Sequence, residues 1–463
     1  MLTRGAMGTI GMATLGLCVA AATSQAAELH SGVLALDHVA VVDVRSGAVA
    51  TDRMLVVTAG RISAVARSGE IGTPPGAVVL DATGKVVIPG LWDMHVHLHD
   101  SAFLELLVAE GITGVREMGG DPALIGDWRD RIAAGRLMGP RIVMAGRILD
   151  GPDPTWPRIS YAIRNAEEGR RLVQVSKRDG SDFIKVYNGL SREAYFAILS
   201  EAKQQGLTVA GHVPFSISAA EASDAGQRSI EHVTGVLEGC TARPNATPAS
   251  ADREWFLMNY DPLRADSLFA RFARNGTWQV PTLVLKRTFA WIREIAQRDD
   301  TRLRFIPARI SDRWDPGRDF RLQGRRPEYF ALQQRLFKKD LALVGDMRRA
   351  GVRFLAGTDL GNPYIFPGFS LHDELGLLVQ AGLTPLEALQ AATLRPAEFL
   401  GESDSLGTVE PGKAADFVLL DANPLEDIAN TQRIDAVCVK GTLLGRATLA
   451  RMLSEVEATA RAR

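Results

Sequence analysis

Cysteine is almost missing from this sequence: three occur among 463 residues. Cys240 and Cys438 lie far apart and follow no metal-ligand spacing, which excludes a thiolate zinc module and gives a disulfide between them no support. The third, Cys18, follows Leu17, where a lipoprotein signal wants a small residue. An excess of charge of one sign is missing too. Lys and Arg number 53 against 54 Asp and Glu, a formal net charge of −1 at pH 7. Neither nucleic acid nor an anionic membrane is therefore indicated as the main partner, and a small-molecule substrate fits better. No repeat, low-complexity tract or basic recognition motif is present. With 46% hydrophobic and 23% charged residues, the composition is that of an ordinary globular protein, not a disordered chain or a set of membrane spans.

A long apolar run occurs only at the start, where MLTR is followed by GAMGTIGMATLGLCVAAAT and then SQAAE. A basic beginning, an apolar centre and a small-residue exit predict a secretory signal over residues 1–26. The run is short and weakly apolar for a membrane span. The expectation is a periplasmic or secreted mature protein with no membrane attachment once the signal is removed.

Residues 27–88 alternate apolar and polar positions in short runs broken by Gly and Pro, and the pattern returns over 401–446. Both ends of the chain are thus expected to build one small β-sandwich, followed by a C-terminal helix over 447–463. Between them, over 89–400, short β runs alternate with helical stretches, the signature of parallel βα units. The candidate strands are VVIPGLWDMHVH, ITGVREMG, RIVMAGRIL, FIKVY, TVAGHV, SIEHV, TWQVPTLV and VRFLAGTD. Eight strands predict an α/β fold of the (β/α)8 TIM-barrel type, which needs roughly 250 residues. Ser191 is placed to cap one barrel helix, with Gly206 closing it. Thr384, Pro385 and Glu387 form a capping-box signature for another. Residues 239–345 break the regular spacing and are rich in Arg and aromatics. Two readings stay open there: a lid over the barrel mouth, or extra helices packed outside it.

The strongest local signal is Pro89-Gly90-Leu91-Trp92-Asp93-Met94-His95-Val96-His97, an apolar strand ending in two histidines one residue apart. Positions i and i+2 of a strand share a face, so His95 and His97 can reach one ion. Lys185 in FIKVY, His212 in AGHV, His232 in IEHV and Asp359 in AGTD each fall at the C-terminal end of a different strand, where barrel active sites gather. An ammonium among Phe183, Ile184 and Val186 is costly to bury, which points to neutralisation or a function for Lys185. Beside these, His99 continues the H-x-H-x-H series beyond the strand and Tyr187 shares the face of Lys185. Arg116 and Glu117 are adjacent and could pair, and His372 could stabilise the loop after the last strand.

This ordered set, continued by PGFSLHDELGLLVQAGLTPLEALQAAT and LGTVEPGKAADFVLLDANP, resembles the amidohydrolase superfamily. Within it, the sequence resembles specifically the binuclear branch that includes imidazolonepropionase-like proteins and Xaa-Pro dipeptidases. The resemblance implies two divalent metal ions, with His95, His97 and Asp359 on the first, His212 and His232 on the second, and a carboxylated Lys185 bridging them. Zinc is the default metal, on availability and Lewis acidity. It also implies hydrolysis at a carbonyl carbon, with Asp359 moving a proton from the attacking water to the leaving nitrogen. The favoured substrates are small amides, a dipeptide or N-acyl amino acid. Lactones and cyclic amides or amidines are the alternative for the same centre. A non-catalytic binding protein on this scaffold would have lost a ligand, and none is missing. Barrels with outward helices often pair, so a homo-oligomer is compatible with the reading.

Overall fold

The computed structural model describes residues 32–243 and 250–462. The expected export signal, with Cys18, lies outside them. Eight parallel segments form the barrel: Leu91–Val96, Ile112–Glu117, a split third strand of Arg141–Met144 and Ile148–Asp150, Phe183–Val186, Thr208–Gly211, Ser229–Glu231, Trp278–Val280, and residues 353–360. The last segment closes the ring through the backbone. It bonds to the first strand by Met94 N to Ala356 O at 2.9 Å and Asp359 N to His95 O at 2.8 Å. It bonds to the seventh by Leu355 N to Gln279 O at 3.0 Å.

Two expected strands are divided in the structure. Val86–Pro89 ends in the sandwich sheet and Leu91–Val96 begins the barrel, with Gly90 between them. The third strand breaks at Gly146, whose φ of +70° turns the chain; its first half pairs with the second strand and its second half with the fourth. A Cβ at Gly146 would lie 2.7 Å from Ser181 Oγ, so the kink is also a close approach.

The accessory unit is a ladder running Thr442–Gly445, Ile434–Val439, Phe417–Leu420, Val86–Pro89, Val33–Val42, Val49–Thr58, Arg61–Arg67, with Ala77–Asp81 added beside Val33–Val42. Phe417–Leu420 pairs antiparallel with Val86–Pro89, which is how the two chain ends meet. Leu36, Leu55 and Val87 from the early strands share one core with Phe417, Leu419 and Cys438 from the late ones, so the ladder folds over itself as a sandwich. The helix Arg446–Ala462 returns to the barrel, where Val456 packs with Leu106 and Phe305.

The caps form where the residue types require them. Ser191 accepts from Ala194 N, and Thr384 and Glu387 close a reciprocal capping box. Among the described residues no helix is long and apolar enough to cross a membrane. Cys240 and Cys438 are both buried and free.

Gly211 ends the fifth strand beside Lys185 at a φ of +134°, and a Cβ there would lie 2.2 Å from Val186 O. Backbone on the neighbouring strand cannot move aside as a side chain can. Gly211→Ala should therefore lower unfolding free energy by about 3 kcal/mol or more, combining overpacking with backbone strain. Urea unfolding followed by circular dichroism checks this.

Candidate metal centre

Every one of the six residues picked out as a metal ligand sits at the C-terminal end of a barrel strand and lines one cavity of about 460 Å3. Asp359 stands at the middle of the group. Its Oδ1 is 3.4 Å from His95 Nε2 and 3.3 Å from His97 Nε2, and its Oδ2 is 3.8 Å from His232 Nε2. The rings of His212 and His232 are 4.8 Å apart, and those of His95 and His232 4.5 Å. Lys185 is 1% exposed and faces the same cavity.

Backbone strain concentrates here. His232 and Thr282, just after the sixth and seventh strands, and Asp359, near the end of the eighth, have φ values of 59°, 48° and 61°. Non-glycine residues rarely hold that conformation, which costs on the order of 1–3 kcal/mol each and persists only where surrounding packing enforces it. The sharp turn brings the side chain back over the barrel mouth.

All four imidazoles are oriented the same way. Each Nδ1 has a partner outside the cluster: Glu231 Oε2 for His95 at 2.8 Å, Gly119 O for His97 at 2.8 Å, Asn188 Oδ1 for His212 at 2.9 Å and Thr282 Oγ1 for His232 at 2.7 Å. Holding Nδ1 in this way leaves Nε2 as the inward lone pair, the arrangement that orients metal-binding histidines. His95 Nε2 and Asp359 Oδ1 are buried and have no hydrogen-bond partner. Orphaned buried polar atoms are costly, and here they belong to two residues whose ligand atoms, with one from His232, lie within 4.8 Å of one another. The donor set therefore fits a divalent cation. The nearest triad joins His232 to His95 and Asp359, so Asp359 adjoins both proposed ligand groups.

Electrostatics favour the ligating form at three of the four histidines; at His97 burial acts the same way, but the Asp359 carboxylate beside it more than offsets this and raises its pKa. Burial drives His95 down to about 4, with the Lys185 charge adding to it, and drives His212 and His232 well below the ordinary histidine value. Burial opposes charge on Asp359, yet the imidazoles around it more than offset this and hold its carboxyl well below the usual range. Burial also brings Lys185 down to about 8, against the pull of Glu231 and Asp359. A lysine depressed that far has a sizeable neutral fraction near pH 7–8, the nucleophilic form that CO2 requires.

The sequence profile of the amidohydrolase family matches residues 86–444. The chain belongs to the amidohydrolase family. It is 25% identical over 417 residues to ochratoxinase of Aspergillus niger, covering 76% of this chain and 73% of that enzyme. Among solved structures it is similar to bottromycin amidohydrolase, with 26% identity, a TM-score of 0.75, and coverage of 92% of this chain and 90% of that one. A Xaa-Pro dipeptidase with methionine bound in its active site shares the fold at 22% identity and a TM-score of 0.67, over 89% of this chain and all of that one. The family's hydrolytic character holds for this chain, and the cluster of His95, His232 and Asp359 suits the metal centre that the family typically uses.

Other residues of this amidohydrolase shape the centre without having been singled out for it. Arg116 and Glu117 do not pair, because adjacent strand residues point to opposite faces. Arg116 instead turns into the barrel and makes a two-pronged contact with Glu231, its Nη2 donating at 2.9 and 3.0 Å, and Glu231 in turn holds His95 Nδ1. Asp93 anchors the turn before Asp359 by accepting from Thr358 N and Oγ1. Tyr187 stacks on His212 with centroids 4.0 Å apart and accepts from Trp156 Nε1. His99 lines the same cavity. His372 lies on the helix Phe369–Gln380 and is a buried strut between Thr431 Oγ1 and Glu110 O. The irregular segment folds as helices, and Phe256, Leu285, Phe289, Arg321 and Phe337 from it line the cavity.

Proposed function

We propose that this amidohydrolase cleaves the carbon–nitrogen bond of a small amide, a dipeptide or N-acyl amino acid, at a centre of two divalent ions, zinc by default. His95, His97, His212, His232 and Asp359 would hold the ions, with Lys185, once carboxylated, as a further oxygen ligand. The observation that carries this reading is the convergence of three pre-oriented Nε2 atoms, those of His95, His97 and His232, on one buried carboxylate at the barrel mouth, with the His212 ring beside that of His232. When bound, such ions lower the pKa of a water toward ~7 and polarise a carbonyl.

The chain's own residues supply the rest. Asp359, ionised and with Oδ1 unpartnered, accepts the proton of the attacking water and returns it to the departing nitrogen. The partners of each Nδ1 fix the tautomer, so no ring has to reorient during turnover. Phe256, Leu285, Phe289 and Phe337 make part of the cavity lining apolar, which lowers the local dielectric around a bound substrate. An amide substrate is favoured over a lactone by its similarity to ochratoxinase and bottromycin amidohydrolase. The protein acts on small molecules outside the cytoplasm, with no nucleic-acid or membrane partner.

The test is amino-acid release from a dipeptide and N-acyl amino-acid panel by zinc-loaded protein, before and after dialysis against a chelator. Release that disappears with the metal and returns on adding zinc is the expected result. No release across the panel, with two metals bound per chain, would redirect the search to lactones and cyclic amides.

A further inference from the structure

Thr282 stands at the N-cap of the helix Leu283–Ala290. Threonine is favoured there because its hydroxyl can take the N–H of the second or third helical residue. Here it does not. The Thr282 backbone is left-handed, at φ 48° and ψ 50°, and its side chain makes no cap bond. Its Oγ1 donates to Pro281 O at 2.8 Å, which uses the one proton a hydroxyl has. Oγ1 must therefore accept from His232 Nδ1, 2.7 Å away. That places the imidazole proton on Nδ1 and the lone pair on Nε2.

The cap comes instead from 90 positions away. Glu374, on the helix Phe369–Gln380, accepts from Val284 N at 2.6 Å through Oε2. Val284 is the second residue of its helix, so this is a donor that an N-cap threonine would take. Glu374 and Thr282 are both 0% exposed. Glu374 Oε1 has no hydrogen-bond partner. Burial pushes this carboxyl up to about 8, with the Val284 and Leu283 N–H groups acting against it, and in either protonation state an oxygen remains to accept. A half-partnered buried acid is a costly way to cap a helix whose own threonine is in place. Packing alone would be served by another leucine, as it is on the same helix at Leu371, Leu375 and Leu378.

We infer that Glu374 is a positioning residue for the metal centre: by capping Leu283–Ala290 in place of Thr282, it leaves the threonine hydroxyl to hold His232 with Nε2 facing inward. This rests on the metal-dependent reading of the site and names the device that sets one of its ligands. The left-handed turn couples the two helices to the imidazole. Without Glu374, Val284 N–H lacks an acceptor, Thr282 relaxes to the ordinary extended N-cap conformation, and its hydroxyl leaves His232 for its own helix.

The test reads the His232 tautomer and the zinc affinity of the full chain. NMR of isotopically labelled histidines in protein stripped of metal, with His232 assigned from His232→Asn, should show the Nδ1–H form in wild type. Glu374→Met and Thr282→Val should each give a mixture rich in the Nε2–H form. Zinc affinity, from competition with a chelating dye, should fall about 10–100-fold in each, the usual cost of losing an outer partner of a metal-binding histidine. The double variant should lose no more than the weaker single variant, because both act through one hydroxyl. Glu374→Asp, one methylene too short for Val284 N, should move both readouts the same way by less, and it serves if Glu374→Met does not fold. An unmoved tautomer in the Glu374 variants, or zinc losses that simply add, overturns the role. A wild type that binds no zinc, with a tautomer that still shifts in the Glu374 variants, overturns the metal reading and leaves the placing of His232 by Glu374 standing.

Discussion

Asp359→Asn is expected to lower kcat by at least about 1,000-fold, within the range that a positioned general acid–base contributes. The carboxamide has nearly the same shape, so packing against His95, His97 and His232 survives. What changes is chemical. The carboxylate offers two acceptor oxygens 3.3–3.8 Å from three Nε2 atoms, whereas the amide presents an N–H donor on one side and a far weaker base on the other. It can neither take a proton from water nor deliver one to the leaving nitrogen. Steady-state kinetics on a panel substrate, with metal content measured by mass spectrometry on the same sample, separates the two ways to lose rate. Retained metal with lost turnover supports the proton-shuttle role. Undiminished kcat with full metal would remove Asp359 from it.

Arg116→Met should cost roughly 3–5 kcal/mol of folding stability, the usual penalty for stranding one partner of a buried ion pair. Arg116 and Glu231 are both fully buried. The guanidinium donates to Met94 O, Ser229 Oγ and both oxygens of Glu231, and lies over the Phe183 and Phe399 rings at 5.6 and 5.0 Å. With Arg116 present, Glu231 stays charged despite its burial, because the Arg116 charge and the His95 hydrogen bond hold its carboxyl well below the ordinary range. Without it, Glu231 must either bear an uncompensated charge inside the barrel or take up a proton. The protonated form no longer steadies His95 Nδ1 in the same way, so metal affinity should fall together with stability. Urea unfolding of Arg116→Met, Glu231→Leu and the double variant tests this as a cycle. The double variant is expected to be less destabilised than the sum of the singles, because it strands no charge. Strict additivity would show that the two residues act independently.

The elements most legible in the sequence were those whose signal is local. An apolar strand closing on His95 and His97 announces itself within nine residues. The capping box at Thr384 and Glu387 needs four. Even so, local reading joined Val86–Pro89 to Leu91–Val96 as one strand, because nothing in an apolar run tells which of two sheets its halves will enter.

Pairing across the barrel was not legible. The residues that orient His95 and neutralise Glu231 are separated by 136 and 115 positions, and no periodicity relates positions that far apart. The nearest visible partner of Arg116 was Glu117, which strand geometry forbids.

By itself the sequence determined the eight-strand pattern, the sandwich made of both chain ends and the six residues gathered at the strand ends, because side-chain alternation and residue type act over a few positions. Tertiary structure alone decided which nitrogen of each histidine faces inward, which charge neutralises which inside the barrel, and how an irregular Arg- and aromatic-rich segment becomes the wall of a cavity. Those outcomes depend on groups brought together by ring closure, and burial makes each of them matter: in water an unpaired Glu231 or a misdirected imidazole would cost little, while in the barrel interior it costs several kcal/mol.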